Sequence, residues 1–174
     1  MKAAVVYESM FGNTAQVAEA IAEGMEDHGV EVTLLEVMSA PPDAVTGFDI
    51  VVIGAPTHGL TLSKPSSRRT AVRGGAPEEV LAQGVREWLP RVAPPSGVLA
   101  VYDTRARAMR HWPGSAAHAA ARILRRRGVT PVERRSFYVA ATKGPLLEGE
   151  IPRARAWGAR LGGLARTANP PTAA

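Results

Sequence analysis

The sequence predicts an open α/β fold built on a parallel sheet. Short apolar runs and helix-period segments alternate about five times along the chain, which is the pattern of parallel strands joined by crossover helices. The apolar runs, such as Ala3-Ala4-Val5-Val6 and Ile50-Val51-Val52-Ile53, are uninterrupted. Such runs suit strands covered by helices on both faces. Glycines and prolines fall between the segments, where breaks are needed.

Each element follows from its residues. Lys2 to Tyr7 is short and apolar and reads as a buried strand. Asn13 to His28 has helical periodicity: Val17, Ala18, Ile21, Ala22 and Met25 share one face, and Gly29 supplies the stop. Val30 to Val37 alternates, with Val30, Val32, Leu34 and Glu36 on one face, and reads as a second strand. Pro41-Pro42 breaks the chain, and Asp49 to Ala55 is the third strand. Pro56 to Ala76 is rich in Ser, Thr, Gly and Arg, lacks apolar periodicity and reads as a long loop. Pro77 to Leu89 reads as a helix whose core side is Val80, Leu81, Val85, Trp88 and Leu89. Pro94-Pro95 ends that region, and Gly97 to Tyr102 is the fourth strand. A polar loop, Asp103 to Pro113, then leads to an Ala- and Arg-rich helix, Gly114 to Arg127, which Gly128 stops. Ser136 to Ala141 is the fifth strand, and a last helix spans Ile151 to Thr167 after a loop from Lys143. The expected organisation is one domain, residues 1–168, with a flexible C-terminal tail at 169–174.

Composition narrows the chemistry. With 174 residues and 45% hydrophobic content, the chain can bury a sizeable core. It has no cysteine, which excludes disulfides, thiolate nucleophiles and iron–sulfur ligation. No segment has the length and apolarity of a membrane span, and the expected location is the cytoplasm. The four histidines, His28, His58, His111 and His118, form no His-x-x-x-His or H-E-x-x-H pair, so no metal site is expected. The net charge of +5 hides an asymmetry. Residues 1–87 hold 6 Lys/Arg and 12 Asp/Glu, a net −6; residues 88–174 hold 15 Lys/Arg and 4 Asp/Glu, a net +11. A basic half attracts anionic partners, or is simply a solvated surface. Nucleic-acid binding is not expected, since neither stacking aromatics nor a known motif accompanies the arginines. Arg122, Arg125, Arg126 and Arg127 end a helix, where cations complement the dipole.

In an open parallel sheet, ligands sit beyond the carboxyl ends of the strands. The first loop there, Glu8-Ser9-Met10-Phe11-Gly12-Asn13-Thr14, carries the sharpest signal. It leads from strand to helix, and Ser9, Asn13 and Thr14 each bring a neutral hydrogen-bonding side chain. Three such residues exceed what one helix cap requires. Gly12 permits a tight turn, and the first N–H groups of the helix have no intrahelical partner. A phosphate placed there gains those donors and the positive end of the helix dipole. The loop contains no Lys or Arg. It does not end in Gly-Lys-Ser/Thr and lacks the three Rossmann glycines, so neither a P-loop nor a dinucleotide fingerprint is present.

Tyr7-Glu8-Ser9-Met10-Phe11-Gly12-Asn13-Thr14 resembles the FMN-phosphate loop of the flavodoxin family, whose pattern runs from Thr or Ser through a glycine to a Thr. Gly54-Ala55-Pro56-Thr57-His58-Gly59 is similar to that family's second flavin loop, and Asp103-Thr104-Arg105 falls where the third belongs. The resemblance implies a flavodoxin-like three-layer α/β/α sandwich with a five-stranded parallel sheet in the order 2-1-3-4-5. It implies FMN as cofactor. Ser9, Met10, Phe11, Gly12, Asn13 and Thr14 would hold the phosphate, and Pro56, Thr57, His58 and Gly59 would border the isoalloxazine ring. Asp103, Thr104 and Arg105 would approach its pyrimidine edge. Arg105 would then raise the flavin potential, or else pair with Asp103 at the surface. His58 would donate to flavin or substrate, or simply face solvent. Arg68, Arg69 and Arg73 would flank the flavin and admit an acidic substrate or partner, or lie in a solvated loop. Unlike electron-transfer flavodoxins, which stack Tyr or Trp on the ring, this chain offers His58 in the second loop and Trp112 some way beyond the third. Flavodoxins are also typically acidic, and this chain is basic.

The expected function is electron transfer through a bound flavin, with no catalytic side chain required. The partners would be a redox protein or a small-molecule electron donor or acceptor. Two alternatives stay open at the level of sequence. One is an NAD(P)H-dependent quinone reductase or protoporphyrinogen-oxidase-like flavoenzyme. The other is a module of the same fold that has lost its flavin.

Overall fold

The computed structural model describes residues 1–93 and 97–168. The expected break at Pro94-Pro95 and the expected tail at 169–174 lie outside the described residues. Five strands, β1 (Lys2–Tyr7), β2 (Glu31–Glu36), β3 (Ile50–Pro56), β4 (Val98–Ala106) and β5 (Glu133–Val139), form one sheet in the order β2-β1-β3-β4-β5. All four pairings are parallel.

Side-chain alternation splits the core into two layers. Ala4, Val6, Val51, Ile53, Leu99 and Val101 face α3 (Val85–Trp88) and α4 (Ala116–Arg126). Ala3, Val5, Ile50, Val52, Ala100 and Tyr102 face α1 (Asn13–Glu26) and α5 (Glu150–Ala168). The result is a three-layer α/β/α sandwich. α1 and α5 cross at two glycines: a Cβ on Gly24 would lie 2.0 Å from the Arg155 carbonyl oxygen, and one on Gly158 2.1 Å from that of Ile21. Tyr102 packs edge to face on Phe137 and on Trp157 of α5, and the Phe137 and Trp157 rings meet at a tilt of 54°. Among the described residues, no helix is long and apolar enough to cross a membrane.

Four expectations need correction. The stretch from Pro56 to Ala76 is not one loop; it contains helix α2 (Pro65–Arg73). Pro65 opens that helix, and the Lys64 N–H donates to Ser67 Oγ at 2.8 Å. Its apolar signal is faint because its buried positions are Arg68 and Ala71. The helix expected over Pro77 to Leu89 is broken into a 3-10 turn (Glu78–Leu81) and the one-turn α3. Gly84 separates them, in a spot where a Cβ would meet the Arg68 guanidinium at 2.4 Å. β4 runs past Tyr102 to Ala106, so Asp103, Thr104 and Arg105 are strand residues paired with Ser136, Phe137 and Tyr138 rather than loop residues. β2 is an edge strand on which Leu34 is exposed and Leu35 packs inward.

Candidate functional site

The loop from Ser9 to Thr14 leaves the carboxyl end of β1 and enters α1 through Gly12, whose φ of 83° is left-handed. No side chain of Gly12 can cap the helix, and no acidic residue stands in its first turn. Ser9 Oγ accepts from the Ala15 N–H at 3.3 Å. Asn13 and Thr14 are buried and tied inward. Asn13 Nδ2 donates to the Lys143 carbonyl at 3.0 Å, and the Thr14 hydroxyl pairs with the Thr104 hydroxyl at 2.8 Å. Tyr102 donates its phenol to the Thr14 carbonyl at 3.0 Å. These bonds hold the start of α1 against β4 and against the loop after β5.

The second segment follows β3. The His58 and Thr61 backbones pair across a tight turn whose central residues, Gly59 (φ 54°) and Leu60 (φ 66°), are both left-handed. That is the geometry of a type I′ hairpin turn, and Leu60 sits in a region that branched or bulky residues seldom adopt. Burial and the nearby Arg68 charge push the His58 pKa below its ordinary value, so its imidazole is neutral at pH 7.

The two preceding segments enclose a cleft of about 200 Å³. Of the residues expected from sequence, Met10, Phe11, Asn13, Thr14, Pro56, Thr57, His58, Gly59, Thr104 and Arg105 line it. Ala106, Met109, Val139 and Thr142 complete the walls. Ser9 and Gly12 shape the loop behind the cleft. Asp103 does not line it: it is fully buried under α4, where its Oδ2 accepts from the Ala117 N–H at 3.0 Å. Burial raises its pKa against the pull of its hydrogen-bond donors and of Arg105. Thr57 Oγ1 likewise accepts from the Ala116 N–H, at 2.9 Å. The Arg105 guanidinium donates to the Met109 carbonyl and, at 3.3 Å, to that of Trp112. It anchors the 107–112 segment, and among the described residues it makes no ion pair with Asp103.

A buried polar cluster centred on Glu8, at the start of the β1–α1 loop, escaped the sequence reading. Glu8 accepts from the Ser63 hydroxyl and, at 2.8 Å, from the Val85 N–H at the start of α3. Arg68 donates to Ser63 Oγ at 3.0 Å and pairs with Glu87 at 3.0 Å. Glu87 in turn accepts from the Gly84 N–H. Desolvation raises the Glu8 pKa, opposed by Ser63, Val85 and Arg68. Arg68, 2% exposed, is therefore a core residue and does not flank the cleft. Sequence spacing gave no clue, since Glu8 and Ser63 are 55 positions apart.

The fold is an open parallel α/β sandwich with a cleft at the strand carboxyl ends, and comparisons with known proteins sharpen that class. The Flavodoxin family model matches residues 5–67. A protein of Synechocystis described as diflavin flavoprotein A 4 is 38% identical over 63 residues, which are 34% of this chain and 11% of that protein. The match thus spans about a tenth of that curated relative. A flavodoxin from the domain Archaea superposes with a TM-score of 0.66 at 22% identity, covering 95% of this chain and 99% of its own. A Streptococcus pneumonia TIGR4 flavodoxin gives 0.65 at 17%, covering 94% and 99%. The flavodiiron protein from Giardia intestinalis gives 0.62 at 21%, covering 95% of this chain and 36% of its own. The chain resembles the Flavodoxin family over residues 5–67, and its fold is flavodoxin-like over nearly all its length. Flavodoxin-family proteins bind FMN.

Proposed function

We propose that this chain binds FMN in the cleft and carries electrons through it, on one domain spanning residues 1–168. The observation that carries the proposal is the open start of α1. Its entry residue offers no side-chain cap, its first turn holds no carboxylate, and it stands at the edge of a cleft lined by three separate strand ends. A phosphate fits that donor set: it accepts from the N–H groups of the first turn and gains from the helix dipole. Ser9, Gly12, Asn13 and Thr14 would shape its seat, with Met10 and Phe11 beside it. Pro56, Thr57, His58 and Gly59 would border the ring on one side, and Thr104 and Arg105 on the other. Bound FMN supplies one- and two-electron transfer, and the protein supplies binding and orientation. His58, neutral at pH 7, and Arg105 are the titratable side chains of the cleft wall. Arg105 is already committed to two carbonyls, and a carrier exchanging electrons with a redox protein or a small donor or acceptor needs no catalytic side chain there.

The test is a titration of the apo protein with FMN and with riboflavin, followed by visible absorbance. FMN should bind at least about tenfold more tightly than riboflavin, since the phosphate adds charge-assisted hydrogen bonds. Equal affinity for the two would remove the phosphate seat from Ser9–Thr14. NAD(P)H oxidation with a quinone acceptor should not exceed that of FMN alone; turnover above it would replace the carrier with a quinone reductase.

A further inference from the structure

Beyond the cleft, the chain presents a face with one sign of charge. Residues 104–132 contain seven arginines and no Asp or Glu. Two of the seven are spent inside the protein, Arg105 on the Met109 and Trp112 carbonyls and Arg127 on those of Leu89 and Val92. Arg107, Arg110 and Arg122 are exposed, and among the described residues no carboxylate pairs with them. Between Arg110 and Arg122 in the chain, Trp112 is 58% exposed, the most exposed large hydrophobic side chain described. It is held rather than loose, because Arg105 anchors its carbonyl from below. Beside it runs a shallow groove of about 430 Å³, with Leu60, Pro113 and Ala119 on its walls and Arg122 at its rim. Met109, three residues before Trp112, belongs to the cleft wall, so this face adjoins the site.

We propose that Trp112, with Arg107, Arg110 and Arg122, forms a docking face for an acidic redox protein. The redox character of the partner rests on the FMN reading above; the acidic character rests on the face itself. Trp and Arg are the residues that most often dominate interface energetics, and a backbone already fixed at its carbonyl has less entropy to lose on docking. Exposed arginines on a segment that carries no carboxylate of its own steer a negative partner and repel a positive one. A nucleic acid would call for several stacking aromatics along the basic track, and Trp112 stands alone.

The experiment uses the whole protein, with and without FMN, and a labelled, strongly acidic [2Fe–2S] ferredoxin as probe, followed by fluorescence anisotropy. Binding should appear at low salt and fade steeply as salt rises. Trp112→Ala and the pair Arg107→Glu/Arg110→Glu should each weaken it at least tenfold. Arg125→Glu/Arg126→Glu, at the far end of α4, should change it little. FMN titration of the same variants should be unaltered. Absence of ferredoxin binding, equal binding of a basic cytochrome, or equal loss in the far-end variant overturns the docking face. So does tighter, Trp112-dependent binding of a single-stranded oligonucleotide or an anionic vesicle. Failure of FMN binding with ferredoxin docking intact would overturn only the redox assignment.

Discussion

Two long helices start at the carboxyl edge of the sheet and are finished in opposite ways. At α4 the first three N–H groups are all taken by side chains: Ala116 by Thr57, Ala117 by Asp103 and His118 by Ser115. At α1 the entry residue is glycine, and the side chains of Asn13 and Thr14 turn away to Lys143 and Thr104. Each helix has the same unpaired donors to satisfy. The protein satisfies all three at α4 with side chains. At α1 Ser9 Oγ takes the Ala15 N–H, and among the described residues no side chain accepts from those of Asn13 and Thr14, where we propose that the ligand binds. Polar residues at a strand end thus do two different jobs. Around α4 they cap a helix, and around α1 they line the start of the helix where we propose that a phosphate sits.

The largest expected effect comes from spoiling α1. Asn13→Asp with Thr14→Ala places a negative charge beside the proposed phosphate, sets an oxygen against the Lys143 carbonyl and removes a hydroxyl. FMN affinity should fall about a hundredfold, roughly 2–3 kcal/mol, while riboflavin affinity stays near its original value. Parallel losses for both ligands would mean that the cleft had been distorted and that α1 does not hold the phosphate.

A smaller effect is expected at α4. Thr57→Val keeps the shape and removes the acceptor for the Ala116 N–H. Stability in urea should drop by about 1 kcal/mol, the usual cost of losing a helix cap, and the preference for FMN over riboflavin should persist. If the variant instead kept its stability and lost that preference, Thr57 would be acting on the ligand and the contrast between the two helices would collapse.

The sequence made part of this contrast legible. β1 and β3 announce themselves as apolar runs, and the turn at Gly12 into α1 is marked by the residues of one short loop, so local residue types sufficed for those elements. The caps of α4 were hidden because Thr57 and Asp103 lie 59 and 14 positions from the N–H groups they accept. Only the folded sheet brings them under that helix. Asp103-Thr104-Arg105 reads as loop because it is polar, yet it completes β4 against Ser136, Phe137 and Tyr138. Polarity misled there because the carboxyl end of a parallel sheet is where buried polar side chains find helix N-termini. Arg68 misled for the same reason: a polar stretch suggested solvent, and the side chain is buried on Ser63 and Glu87.

The smallest expected effect is a matter of pH, and it isolates the charge of the α4 cap. Burial holds the Asp103 pKa above its ordinary 3.8 despite the Ala117 N–H and the nearby Arg105. A carboxyl raised on folding binds its proton more tightly in the native state than in the unfolded one. Its favourable contribution is therefore complete below about pH 3.8 and is lost as pH rises through the raised native value. Asp103→Asn keeps an oxygen to accept from the Ala117 N–H and removes that titration. Relative to the parent, the variant should gain stability as pH rises from 4 to 7, as read from urea unfolding at constant ionic strength. A relative loss over the same range would mean that the ionised carboxylate is stabilised where it sits, by the start of α4 and Arg105 together. The helix dipole would then outweigh desolvation, and α4 would be an anion-binding helix end occupied by the protein's own carboxylate.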